Sequence, residues 1–175
     1  NIIDQEKMAI IIQEVVGTDY GEVYYPSFSG VGRSLNYYPI NDEKPEEGVA
    51  EVAVGLGKYI VDGGQALRFS PHHPDKVLQT STLELALRDT QKQMYALDLR
   101  PGAFKISRNE GINLEYAQVA DQLQVFSYPE LVASTFSIEN NRMVPGVAAE
   151  GPRVVSFDAI LRYGRFPLAQ LIRDV

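Results

Sequence analysis

Three short stretches rich in β-branched and aliphatic residues, each closed or interrupted by glycine, constrain this chain more than anything else in it. They are MAIIIQEVVG at residues 8–17, FSGVGRS at 28–34 and VGLGKYIVDGG at 54–64. Branched Ile and Val lose rotamer freedom in a helix and pack well on a pleated sheet. Glycine lets the backbone turn sharply or approach a neighbour closely. Short strands joined by tight turns follow. Residues 8–16 are apolar except for Gln13 and Glu14, which predicts a strand buried on both faces.

The remaining pattern mixes strands with a few helices. Residues 22–28 and 31–38, rich in Tyr and Val, read as two strands or one bent pair hinged at Ser29 and Gly30. The acidic stretch 41–48, with Pro45, reads as a solvated loop, and 49–54 returns to strand character. Leu83, Ala86, Leu87, Met94 and Leu97 recur at helical spacing, and Ser81 with Glu84 forms a capping-box pattern, so a helix is expected over 82–97. Arg100, Pro101 and Gly102 would end it. Residues 104–106, 114–119, 131–138 and 154–157 read as strands, and Glu139, Asn140, Asn141 and Arg142 as a hairpin turn, because Asn tolerates positive φ. In FPLAQLIRDV, Pro167 suits a first helical turn, and Leu168, Leu171, Ile172 and Val175 form an apolar stripe. The class is α+β, mainly antiparallel sheet with a few packed helices.

That last helix has a start signal and no stop signal, and the first residue is Asn1. The expectation is one domain fragment spanning 1–175, cut from a larger protein at both ends. Apolar surface left at the two ends is expected to favour homo-oligomers.

Charge and composition exclude several classes. With 175 residues, a net charge of −7 and a pI near 4.8, the chain lacks the clustered Lys and Arg that nucleic-acid binding needs. Cysteine is absent, which removes disulfides, thiol nucleophiles and cysteine-based zinc sites. No apolar run is long enough to span a bilayer, and a cytoplasmic location is expected. His72, His73 and Asp75 have metal-ligand chemistry, but adjacent residues do not share a face, so a polar loop is the better reading. Asp62, Asp89, Asp98 and Asp121 read as surface carboxylates, and the ten tyrosines as sheet packing.

Two glycine segments carry candidate chemistry. Gly30 would let the backbone approach a phosphate, and Arg33 could donate a charge-assisted hydrogen bond to it. The alternative for Arg33 is a solvent-facing residue on a strand with a glycine bulge. Gly55, Leu56, Gly57 and Lys58 suggest a phosphate loop, yet Tyr59 follows Lys58 where a P-loop requires Ser or Thr.

In this order and spacing, the three segments resemble the nucleotide-binding half-domain of the phosphoenolpyruvate synthase and pyruvate phosphate dikinase family, an ATP-grasp fold. That family carries a strand of the type VVQ-x-MV, then SGVxFS/T, then GLGE-x-VVxG. The resemblance implies that Gln13, Glu14 and Val15 run under an adenine, with Gly30 and Arg33 toward the phosphates. It implies ATP and Mg²⁺ as cofactors of the parent protein, which would phosphorylate a histidine and then pyruvate, giving phosphoenolpyruvate. ATP and pyruvate or phosphoenolpyruvate are the partners so implied; nucleic acid and membrane are not. The chain departs from the family at Gly32 and Arg33, where an apolar pair is usual, and at Lys58, where an acid is usual. The DIEW-type metal strand and its Gln-x-Arg do not occur after Phe157, and the phosphocarrier histidine belongs to a separate domain. No catalytic or metal-ligating residue is therefore expected in this chain, which should be inactive alone. Two alternatives stay open: a degenerate relative serving as a binding or regulatory module, and a dikinase with another acceptor, such as a glucan or an antibiotic.

Overall fold

Period-two burial marks β-strands such as 23–25, 67–69 and 93–98 in the computed structural model, which describes residues 9–104, 106–107 and 111–175. The first half runs β1 (Thr18–Asp19), β2 (Val23–Tyr25), β3 (Ser29–Arg33), β4 (Val49–Ala53), α1 (Lys58–Val61), β5 (Leu67–Phe69), α2 (Leu83–Asp89) and β6 (Gln93–Asp98). The second half runs β7 (Ile106–Ser107), β8 (Gly111–Ile112), β9 (Leu114–Gln118), α3 (Val119–Gln122), α4 (Pro129–Val132), β10 (Ala133–Ser137), β11 (Arg142–Pro145), β12 (Arg153–Val155), α5 (Asp158–Leu161) and α6 (Leu168–Arg173). The strands pair antiparallel in the orders β1-β2-β6-β9, β3-β4-β5, β11-β10-β12 and β7-β8. The chain is thus α+β, with antiparallel sheets and short helices. One cluster of buried residues ties three of the sheets together, with Tyr25, Val52, Phe69, Met94, Val132 and Phe157 at its centre. Among the described residues no helix is long and apolar enough to cross a membrane.

Several expectations need correction. The helix expected over 82–97 stops at Asp89, and residues 93–98 form β6 instead. Met94 and Ala96 are buried while Gln93, Tyr95 and Leu97 are not, the two-residue alternation of a strand, which finds partners on both edges. Thr90 turns the chain between them by donating its hydroxyl to the Ala86 carbonyl. The N-cap is Thr82, whose hydroxyl accepts from the Leu85 amide, rather than Ser81 in a capping box.

The buried strand expected over 8–16 is not formed by its described part. Met8 lies outside the described residues, residues 9–16 belong to no strand, and Ile10, Ile11 and Ile12 are 79%, 83% and 92% exposed. A strand needs a ladder partner, and residues 9–16 pair with no strand of the sheets.

Ser29 and Gly30 are not a hinge; they begin β3, and the strand ends at Arg33 rather than running to residue 38. A Cβ on Gly30 would stand 3.0 Å from the Glu51 carbonyl across the ladder, and one on Gly32 would stand 3.7 Å from the Ile172 side chain of α6. Gly30 therefore lets β4 lie close to β3, while the distance at Gly32 is an ordinary contact.

In the last third, α4 takes residues 131 and 132 from the expected strand 131–138. The strand expected over 154–157 is displaced to β12, because Phe157 is left-handed (φ 52°) and caps α5. The hairpin turn forms as expected between β10 and β11, with Asn141 at φ 47°. The terminal helix is α6, capped at Pro167. Of the strand expected over 104–106, Lys105 lies outside the described residues and Ile106 begins β7.

Candidate functional site

The second and third glycine segments meet. The Ser29 hydroxyl donates a 2.6 Å hydrogen bond to the Gly55 carbonyl. Gly55 takes φ +86°, and a Cβ there would stand 2.7 Å from the Tyr95 carbonyl. The next amide, Leu56 N–H, donates to that same Tyr95 carbonyl at 2.9 Å. Glycine at 55 thus allows the loop to press against β6 while Ser29 holds it from β3. Gly57 then caps α1.

Beside this junction lies the outer face of the four-stranded sheet. Tyr24 of β2 pairs with Leu97 of β6, and Tyr95 of β6 pairs with Tyr116 of β9. In a pleated sheet directly opposed residues share a face, as do residues two apart, so Tyr24, Leu97, Tyr95 and Tyr116 share one. The Tyr95 and Tyr116 rings are 4.9 Å apart, and the Tyr116 hydroxyl donates to Gln93 Oε1 at 2.6 Å. Lys58 Nζ stands 5.3 Å over the Tyr95 ring and 2.7 Å from the Asp62 carboxylate. Burial, and after it the negative charge of Asp62, push the Tyr95 phenol above its ordinary range. The two rings, tilted 45° to each other, present aromatic surface beside an ammonium, against which a planar ring can pack.

The five residues expected to contact a nucleotide divide among three places. Gln13 and Glu14 are exposed, and the Val15 carbonyl accepts from the Tyr24 hydroxyl at 2.8 Å, which ties this stretch to the edge of the aromatic face. Gly17 is needed there, because a Cβ would stand 2.7 Å from the Tyr24 ring. Gly30 instead lines a narrow groove of about 220 Å³ with Phe69, Leu168 and Ile172. Arg33 opens into a separate cleft of about 650 Å³ shared with His72 and Arg173. Ser29 and Arg33 are four residues apart on β3, a separation of about 13 Å.

Gln93 and Tyr95 escape a reading that assigns 82–97 to one helix, and Tyr116, on the expected strand 114–119, is left there without its partner. The signal that finds them is the alternation in QMYALD and LEYAQ. His72 and His73 sit together at Glu47: His72 Nδ1 is 3.2 Å from its carbonyl and His73 Nε2 is 3.4 Å from its carboxylate. The Lys44 amide, first among several causes, holds the Glu47 carboxyl below its usual range. Among the described residues no three His, Cys, Asp or Glu side chains are grouped to hold a metal ion. Compared with protein-family models, with curated proteins and with solved structures, the chain matches none of them.

Proposed function

We propose that this chain is a lobe of an ATP-grasp nucleotide-binding domain, part of a phosphotransferase of the phosphoenolpyruvate synthase type. The parent would use ATP with Mg²⁺ to phosphorylate a histidine and then pyruvate. The observation that carries the reading is the hydrogen bond from Ser29 to Gly55. It joins two motifs that lie 26 residues apart in sequence and that the resembled family places in one site. In this reading the adenine lies against the aromatic face beside Val15 and Tyr24. Its phosphates run past Leu56 and Gly57, where glycine leaves the backbone accessible. Phosphoryl transfer is chiefly positioning and charge neutralisation, and the chain would contribute the positioning of the base.

A second reading is a catalytically silent relative. It is favoured by Lys58, which stands where the family has an acid and is engaged by Asp62 and Tyr95.

The test is a titration of adenylyl imidodiphosphate, with Mg²⁺, into ¹⁵N-labelled chain. The expected result is a saturable shift of the Val15, Leu56 and Tyr95 amides. Val15→Pro, which removes a backbone donor, is expected to weaken it about tenfold, close to 1.4 kcal/mol, while Val15→Ala leaves it unchanged. Absence of any shift at these amides at millimolar nucleotide would refute the assignment.

A further inference from the structure

At the far end of β3 from the glycine junction, Arg33 and Arg173 line one cleft of about 650 Å³, closed on its other sides by Pro71, His72, Leu171 and Glu47. Ligand pockets span about 300–1,000 Å³. Neither guanidinium forms an ion pair among the described residues. Arg173 donates one N–H to the Pro71 carbonyl at 3.2 Å and another to Gln170 Oε1. A guanidinium has five N–H donors in a planar fork, so most of Arg173 and all of Arg33 remain for a ligand. The acid in the wall does not compete for them. Glu47 already accepts from the Lys44 amide at 3.0 Å and faces His73. Glu46 is exposed, and the floor formed by Pro71, Leu171 and Ile172 is apolar.

We propose that this cleft binds a small phosphate monoester, with the phosphate held between Arg33 and Arg173 and an apolar body resting on Pro71 and Leu171. Two guanidinium forks match a phosphate dianion in charge and in geometry, since each can engage two oxygens in parallel. The apolar floor adds burial that a bare inorganic anion cannot use. This goes beyond the nucleotide reading, because the cleft lies about 13 Å along β3 from Ser29.

The experiment titrates phenyl phosphate, inorganic phosphate and benzoate into the chain by calorimetry. Phenyl phosphate should bind saturably, inorganic phosphate about tenfold more weakly for want of the apolar contact, and benzoate more weakly than phenyl phosphate for want of the second charge. Arg33→Gln and Arg173→Gln should each weaken phenyl phosphate at least about tenfold, and Arg173→Lys should fall between, keeping charge without the fork. Arg142→Gln, on exposed β11, should change nothing. Should Arg173→Gln fail to fold, Arg33→Gln decides, because among the described residues the Arg33 side chain makes no hydrogen bond or ion pair whose loss would unseat a neighbour. No saturable binding, unchanged binding in the folded Arg33 variant, or benzoate equal to phenyl phosphate would overturn the proposal. The result is read without any nucleotide, so failure of the adenylyl imidodiphosphate titration leaves it standing, and the reverse also holds.

Discussion

The side-chain amide of Gln91 clasps the backbone of Val54 at both of its polar atoms. Gln91 Oε1 accepts from the Val54 N–H at 2.7 Å, and Gln91 Nε2 donates to the Val54 carbonyl at 2.9 Å. Gln91 is buried, 4% exposed, and Val54 almost completely so. A side chain thus stands where a neighbouring strand would be, closing the ladder position one residue past the end of β4 and one before the Gly55 turn. The glycine loop is aimed by this clasp together with Ser29.

Gln91→Leu should therefore cost much more than an ordinary polar substitution. It keeps the volume but leaves a buried N–H and a buried C=O unpaired, each worth about 1–3 kcal/mol, so a loss of about 2–6 kcal/mol is expected. Urea unfolding at neutral pH measures it. A loss below about 0.5 kcal/mol, the range of ordinary surface changes, would show that water replaces the amide.

Gly55→Ala and Gly63→Ala separate conformation from contact. Both glycines have positive φ, +86° and +80°, but a Cβ on Gly63 meets nothing within 4 Å while one on Gly55 stands 2.7 Å from the Tyr95 carbonyl. Left-handed backbone alone costs about 1–2 kcal/mol for a residue with a Cβ. Gly55→Ala should exceed Gly63→Ala by at least about 1 kcal/mol, because its clash is with backbone that cannot step aside. Equal losses in paired urea titrations would mean that β6 yields.

Asp158 should give stability a pH dependence. Its carboxyl is buried beside Ser134, Ser156 and Arg162. Burial raises its pKa, and the charge of Arg162 offsets this only in part. With a raised folded-state pKa, the unfolded chain releases its proton first, so it binds fewer protons and stability falls as pH rises. The contribution is complete below about pH 4, the ordinary carboxylate value, and is lost as pH climbs through the raised one. Urea midpoints taken upward from about pH 4 should fall more steeply for the wild type than for Asp158→Asn. Parallel profiles would assign the slope to other carboxylates.

How much could be read from the sequence depended on whether a segment's partner was local. The β10–β11 hairpin and α6 were legible because their turn and cap residues, Asn141 and Pro167, act within a few positions. The strand at 49–54 was legible because it is a short, nearly continuous apolar run, VAEVAV, bounded by Gly48 and Gly55. Residues 93–98 were misread because the helical spacing of Met94 and Leu97 was followed rather than the two-residue alternation of Met94 and Ala96, and pairing with β2 and β9 makes the segment a strand. Residues 9–16 have the composition of a buried strand, but composition does not say whether a free sheet edge exists. Of the candidate site, the contact of the two glycine segments was foreshadowed by their order. The Tyr95 and Tyr116 face was not, because it depends on which strands lie side by side.

The Ser29 hydroxyl offers the sharpest test of how the glycine junction works. Ser29→Ala removes its 2.6 Å bond to the partly buried Gly55 carbonyl. The net worth of such a bond is about 1 kcal/mol, so the variant should remain folded. The local effect should be larger than the global one, because the Leu56 N–H bond to Tyr95 persists only while the loop stays pressed on β6. Amide hydrogen exchange of Leu56 and Gly57 should therefore speed up in Ser29→Ala by more than the change in global stability accounts for, a signature of local opening. Ser29→Thr keeps the hydroxyl and suits a strand, so it should restore protection. If the loop is what orders the phosphates of a nucleotide, affinity for adenylyl imidodiphosphate should fall with Ser29→Ala and return with Ser29→Thr, in step with the exchange rates. Unchanged exchange in Ser29→Ala would mean that the Gln91 clasp and the Tyr95 carbonyl hold the loop without Ser29.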